Sequence, residues 1–427
     1  MGRQMKDSGI EWVGVIPSDW SIIANKYVMQ KNKRICQVWR NEDVLSLTLN
    51  GVVVRDLVNP SGKMPNTFDG YQYAYNGELL MCLFDMDVTP RCVGRVKNDG
   101  VTSPAYSCFK MYDDFSVNYF YYYYLLIDHR KELLHLAKNL RHSFTEEQLG
   151  VLKVPAPSLE EQHRIASYLD TQCSEIDNIL EKTRASIEEY KKLKQTLITQ
   201  AVTKGVRGER PMKDSGNEWI GEIPREWKSV KLKYCAYIRA RLGWKGLKAD
   251  EYVDEGYPLL SAFNIINSNL SFESVNYINE FRYNESPEIK ISISDILLVK
   301  DGAGIGKCAI VEELPIESTV NGSIAVVTVE KHLEPKYLYY YFLSELFQQY
   351  TDRIKGGMGV PHLFQSDLKE IKVAFSNIDE QKEIVKFLDE KCEELDKIIT
   401  KKEQLIKELE SYKKSLIYEC VTGKREV

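Results

Sequence analysis

The sequence predicts an α+β chain in which two mixed α/β domains are separated by two long antiparallel coiled-coil helices, arranged as a pseudo-two-fold internal repeat. Three observations carry this expectation. Residues 5–20 return as residues 212–227, with 11 of 16 positions identical at a constant shift of 207. Residues 159–170 return as residues 378–389, now at a shift of 219. Each of these second echoes opens a long apolar stripe at helical spacing. The segments that the frame encloses hardly resemble one another, so a duplicated scaffold holds two different middles.

At 427 residues the chain exceeds one ordinary core, and two or three domains are expected. A content of 43% hydrophobic and 28% charged residues is that of a soluble globular protein. No apolar run approaches the roughly 18 residues that a membrane helix needs. The opening Met-Gly-Arg-Gln-Met-Lys lacks the apolar stretch of a secretory signal. Nine cysteines show no C-x-x-C spacing, and six dispersed histidines form no ligand cluster. A cytoplasmic protein with reduced thiols and no metal site is therefore expected. The net charge of −5 lies mostly in the second half: residues 1–158 carry 18 basic and 17 acidic side chains, and residues 212–377 carry 19 and 23. No segment is a basic domain, so DNA binding requires cations gathered on one face.

Along the chain, the boundaries expected are a first domain at 1–157, a central spacer helix at 158–205, a linker and second domain at 206–377, and a C-terminal spacer helix at 378–427. Each half opens on W-x-G-x-I-P-x-x-W. The tryptophans Trp12, Trp20, Trp219 and Trp227 repeat with the frame, which makes them anchors of domain to helix. Short apolar runs such as Gly51-Val-Val-Val, Ile296-Leu-Leu-Val and Ile324-Ala-Val-Val-Thr-Val read as strands. Both middles contain a tyrosine-rich segment, from Asn118 and from Lys336, read as a core helix because four adjacent tyrosines on a helix point in every direction.

In the first spacer, Ile165, Leu169, Ile176, Leu180, Thr183, Ile187, Tyr190, Leu197 and Ala201 follow spacings of three, four or seven, up to Gly205. In the second, Ile384, Leu388, Leu395, Ile399, Leu405, Leu409, Tyr412, Leu416 and Cys420 do the same up to Gly423, apart from one step of six between Ile399 and Leu405. About 45 residues make a helix of ~65–70 Å, and such a stripe is a coiled-coil seam. Ser158-Leu-Glu-Glu has the form of a capping box, and Ser376 is placed as the corresponding cap. Antiparallel pairing puts the domains at opposite ends of one rod. Ile179, Leu193, Ile198, Ile398 and Ile406 fall off the seam and suggest a second apolar edge for partner helices.

The duplicated openings, the L/I-x-E-Q-x-x-I leads into both helices and Lys300-Asp-Gly-Ala-Gly-Ile-Gly-Lys307 together resemble the specificity subunit of type I restriction–modification systems, over nearly the whole chain. The resemblance implies that the two middles are target-recognition domains, each reading one half of a bipartite, asymmetric site in double-stranded DNA. It implies that the helices set the gap and dock two methyltransferase subunits, with restriction/translocase subunits completing the complex. No cofactor is expected on this chain. S-adenosylmethionine, ATP and Mg are expected on the partners. The residues agree that the chain is not an enzyme: Asp301 and Cys308 depart from the Walker pattern G-x-x-x-x-G-K-[ST]. The only Asn-Pro, Asn59-Pro-Ser-Gly, is no methyltransferase motif.

DNA contacts are expected from Arg239, Arg241, Trp244, Lys245 and Lys248, which place four cations and an indole in a glycine-broken loop. Lys300 and Lys307 flank a glycine-rich turn whose alternative role is a strand connection needing positive φ. Lys355 and His362, and their counterparts Lys138, Arg141 and His142, stand ahead of each spacer helix. Lys31, Lys33, Arg34, Arg91 and Arg95 complete the set. The competing reading is a non-catalytic coiled-coil scaffold with two protein-recognition heads.

Overall fold

The computed structural model describes residues 3–60, 64–137, 143–241, 251–355 and 361–427. Trp244, Lys245, Lys248, Lys138, Arg141 and His142 lie outside these described residues. The helices are α1 (Val117–Arg130), α2 (Glu146–Val151), α3 (Leu159–Lys204), α4 (Glu280–Glu285), α5 (Pro335–Leu343), α6 (Glu345–Lys355), α7 (Gln365–Glu370) and α8 (Ile378–Val421). Two compact units result: residues 1–184 with 404–427, and residues 185–403. Both α3 and α8 are divided between them, so each unit holds the start of its own helix and the end of the other.

Unit 1 begins with a hairpin pairing Met5–Asp7 with Val15–Pro17. Its head carries one sheet of Met29–Lys31, Ser107–Met111, Leu79–Met81 and Val93–Arg95, in that spatial order. A second sheet contains the only parallel pair of this unit's named strands, Val44–Thr48 beside Gly100–Thr102. The strand Ser21–Ala24 leaving the frame pairs with Lys153–Ala156 ahead of α3, which closes the head on itself.

Unit 2 repeats the plan, with the frame's side chains largely kept and those of the head changed. Met212–Asp214 pairs with Glu222–Pro224, and Lys228–Lys231 pairs with Lys372–Phe375 ahead of α8. Ala236–Arg239, Ile324–Val329, Ile296–Val299 and Cys308–Ile310 form the corresponding sheet. Tyr257–Leu260 runs parallel to Thr319–Val320. The central strands are apolar on both faces because α5 covers one side and a second apolar cluster the other: Leu298 and Val327 belong to one cluster, Leu297 and Val326 to the other.

The tyrosine-rich helices are core, as periodicity required. Tyr119, Phe120, Tyr123 and Tyr124 in α1, and Tyr337, Tyr340 and Tyr341 in α5, are buried. Buried hydroxyls need partners. Tyr119 donates to Val421 O at 3.0 Å, and Tyr337 donates to Val202 O at 2.9 Å. The end of α8 is thus bound into unit 1 and the end of α3 into unit 2 by repeat-equivalent bonds.

Within each unit the two helices run antiparallel. In unit 1, Asp177 meets Lys413 at 2.6 Å and Arg184 meets Glu410 at 2.6 Å; in unit 2, Lys194 meets Asp396 at 2.6 Å. Ile165, Leu169, Ile176, Leu180, Ile187, Ile384, Leu388, Leu395, Ile399 and Leu416 are buried as expected. At single positions in the later part of each stripe the seam is displaced by one residue from expectation, while Ala201, Leu416 and Cys420 are buried where the stripe placed them. Ile198, placed off the seam, is 2% exposed, while Leu197 is half-buried; Leu405 and Tyr412, placed on it, are 41% and 46% exposed, while Ile406 and Leu409 are half-buried. The seam passes through Lys194 and Lys413, whose aliphatic stems lie in it while their ammonium groups reach an aspartate of the facing helix. An apolar pattern treats lysine as an interruption and so steps to the wrong neighbour.

Helix starts also differ from expectation. Glu161 N donates to Ser158 Oγ at 3.3 Å, but the Glu161 carboxylate turns to Trp20 and Arg3, so only half of a capping box forms. For α8 the cap is Asn377, whose Oδ1 accepts from Glu380 N at 3.0 Å, in place of Ser376. At the other end of α8, Gly423 has φ +67, and a Cβ there would lie 2.5 Å from Pro17. Glycine is demanded by both conformation and packing.

Candidate nucleic-acid interface

Each head is fixed to its helix by the same carboxylates. Trp20 Nε1 donates to Glu161 at 3.0 Å and Trp227 Nε1 donates to Glu380 at 3.2 Å, the two indoles being essentially buried. Arg3 pairs with Asp19 and Glu161, and Arg210 pairs with Glu226 and Glu380. About two and a half turns further along, Tyr122 donates to Asp170 at 2.8 Å and Tyr340 donates to Asp389 at 2.6 Å. Sequence reasoning missed these carboxylates, although Glu161/Glu380 and Asp170/Asp389 are identical in the second echo. In unit 2, Lys231 and Lys233 hold Glu370 of α7 and pull its carboxyl down to about 2.

Against these anchors, the expected contact residues divide. Arg95 forms a two-pronged pair with Asp170 at 2.9 and 3.1 Å and donates to Asn118 at 2.8 Å. It is a clamp between head and helix. Arg239 ends a strand, is 14% exposed, and donates to Lys290 O, Thr328 Oγ1 and the buried Asp295 at 2.7–2.8 Å. Arg241 is 11% exposed and lies 3.9 Å from Glu285. These three guanidinium groups belong to the fold's internal polar network. The sequence placed Arg239 in a loop because its partners, Asp295 and Thr328, are distant in the chain.

The glycine-rich turn joins two paired strands, with Gly302 at φ +77 and Gly306 at φ +88. A Cβ on Gly306 would meet Thr351 Oγ1 of α6 at 2.7 Å, so the turn is held tightly against that helix. Asp301 accepts from Lys300 at 2.6 Å and contacts His362 Nδ1. His362 in turn packs edge-on to Phe364, with centroids 4.2 Å apart. Leu363 N donates to Lys300 O at 2.8 Å. The turn and the segment ahead of α7 therefore form one surface, and Lys307 extends from it, exposed and without an ion pair among the described residues.

In unit 1, Lys31 pairs with Glu146, Arg34 with the buried Glu78 at 3.1 Å, and Arg34 also lies 4.6 Å over the Tyr75 ring. Arg91 donates to Leu49 O and Tyr121 Oη. Lys33 is exposed and makes no ion pair among the described residues. Lys355, at the end of α6, pairs with Asp352 at 2.8 Å. Among the described residues there is no group of histidine, cysteine or carboxylate side chains able to hold a metal, and no helix is long and apolar enough to cross a membrane.

A duplicated frame, two unlike α/β heads and two long antiparallel helices define a class of two-headed, coiled-coil proteins. The model of the family "Type I restriction modification DNA specificity domain" matches residues 68–189 and 224–411. The chain belongs to that family. Its curated relatives include the type I restriction enzyme MjaVIII specificity subunit of Methanocaldococcus jannaschii, 27% identical over 65% of this chain and 63% of the relative. The EcoBI specificity subunit of Escherichia coli is 25% identical over 56% of this chain and 51% of the relative. The chain thus spans about half to two-thirds of the length of these relatives. A solved chain from a study of complex assembly and conformational transition in the type I R-M system superposes with a TM-score of 0.72 at 13% identity, covering 96% of this chain and 99% of that one. The HsdS subunit from Thermoanaerobacter tengcongensis gives a TM-score of 0.53 at 14% identity over 96% and 98%. These likenesses establish the fold.

Proposed function

We propose that this chain is the sequence-specific DNA recognition subunit of a type I restriction–modification complex, each head reading one half of a bipartite, asymmetric target. The observation that carries this reading is the frame itself: identical anchoring bonds are used twice to hold two unlike heads. A scaffold with one target has no use for two different heads on one plan. The helices set the gap between half-sites. Ile179 at 46%, Leu193 at 45% and Tyr412 at 46% exposure supply apolar surface for two methyltransferase subunits. Restriction/translocase subunits complete the complex. Catalysis, with S-adenosylmethionine, ATP and Mg, resides on the partners, and this chain is non-catalytic.

The candidate cations differ in the support that their surroundings give them. Lys307, Lys33 and Lys355 sit at the surface of their heads; Lys300, His362, Arg34, Arg91 and Lys31 are poised by a carboxylate or a ring. Trp244, Lys245, Lys248, Lys138, Arg141 and His142 remain candidates by their residue types. Because most cations already have internal partners, intrinsic affinity for duplex is low and rises on assembly with the partners. The test is duplex binding by the full chain, alone and with a methyltransferase subunit, across a salt series. Binding that weakens linearly in log–log form with salt is expected. A salt-independent interaction, or none, would favour the protein-recognition scaffold and refute this reading.

A further inference from the structure

We infer that Phe263 in unit 2 and Leu49 in unit 1 are the apolar tips with which the two heads touch bases, each delivered beside a cation; this rests on the DNA-reading function proposed above. Both residues occupy the same corner of the repeated plan. Each follows the strand that pairs in parallel, Val44–Thr48 in unit 1 and Tyr257–Leu260 in unit 2. Leu49 is 67% exposed and Phe263 is 92% exposed. For a phenylalanine, near-complete exposure forgoes most of the stabilisation that burial of its ring gives.

Neither tip hangs on a loose loop. Thr48 Oγ1 donates to Gly51 O at 3.0 Å and accepts from Asn50 N at 3.2 Å. In unit 2, Ser261 and Asn264 form a reciprocal cap around Phe263: Asn264 Oδ1 accepts from Ser261 N at 2.9 Å, Ser261 Oγ accepts from Phe263 N at 3.4 Å, and Asn264 is 5% exposed. A side chain held out in water by a buried asparagine is pre-organised for contact.

The neighbouring cation comes from a second equivalent turn, the one joining Leu79–Met81 to Val93–Arg95 and Ile296–Val299 to Cys308–Ile310. In unit 1, Arg91 Nη1 donates to Leu49 O at 2.5 Å, and its guanidinium carbon lies 3.9 Å from where a Cβ of Gly51 would be. In unit 2, Lys307 Cδ and Ala262 Cβ both pack over Gly304, 3.7 and 3.8 Å from its Cβ position. The frame repeats its side chains, Trp20 as Trp227. This corner repeats its architecture but changes its residues, leucine with arginine in one head, phenylalanine with lysine in the other. That is the pattern of a part that reads different targets in the same way.

The cation meets a backbone phosphate and the tip meets the apolar surface of a base. That surface is either a thymine methyl group in the major groove or the face of a base step opened by the side chain. The test uses the full chain with its methyltransferase partner on duplexes carrying the target found by methylation mapping. Phe263→Ala and Leu49→Ala, both at exposed positions, should melt as the parent does. Each should weaken cognate binding about ten-fold, with the salt slope unchanged and base preference relaxed in one half-site only, a different half for each variant. Uracil in place of thymine, or 2-aminopurine placed step by step, then assigns the source: the lost methyl reproduces the Phe263→Ala defect in the first case, and a fluorescence rise that Phe263→Ala abolishes marks the second. Unchanged binding, relaxation of the same half by both variants, or neither probe responding overturns the inference. Failure of the parent complex to bind duplex at all refutes instead the reading on which it rests.

Discussion

Arg239 shows how a cation that looks available in sequence is consumed by the fold. Among the described residues its guanidinium is the sole cation bonded to Asp295, which is 1% exposed, and removing it strands a carboxylate in the interior. Breaking such a pair costs about 3 kcal/mol. Arg239→Ala should therefore lower the thermal midpoint and the denaturant midpoint while leaving the target of the assembled complex unaltered. An unaltered midpoint with weakened DNA binding would return Arg239 to the interface. Lys307 differs in kind, since its ammonium group is exposed and its neighbours are a glycine turn and an apolar tip. The sequence showed that Lys300 and Lys307 flank a turn, because glycines at alternate positions signal positive φ. It carried no sign of Phe263, since exposure depends on what the fold leaves uncovered and not on the residue's own neighbours in the chain.

At the scale of elements, the two helices were legible from end to end, and their bounds follow the stripes closely. What periodicity did not show is the role of polar residues within the seam. Lys194 and Lys413 are repeat-equivalent, as are Asp177 and Asp396, so each helix gives one lysine and one aspartate to the other. Opposite charges facing across a seam fix pairing direction and register more than they stabilise, because exposed pairs contribute only about 0.2–1 kcal/mol each. Lys413→Asp alone places like charges against Asp177 and should destabilise unit 1 by about 1 kcal/mol. Combining it with Asp177→Lys restores the pair and should recover most of the loss, a coupling measurable by a double-mutant cycle. Strictly additive losses would mean that the pair does no work in the seam. The heads were less legible: their short strands pair across long sequence separations, and the parallel pairs Val44–Thr48 with Gly100–Thr102 and Tyr257–Leu260 with Thr319–Val320 have no local signature.

Across the whole molecule, the chain uses one construction twice and varies only what it encloses. Tryptophan, glutamate, tyrosine and aspartate recur in the same bonds in both units, so the frame accepts either head. A head moved into the other frame should keep its anchors and carry its specificity with it. The most direct measurement is the methylation target of a chain in which residues 228–377 are replaced by residues 21–157, set within the second frame and expressed with its partner subunits. The half-site read by unit 1 should then appear twice and the other half-site should vanish. A target that still contains the second half-site would contradict the assignment of one half-site to each head.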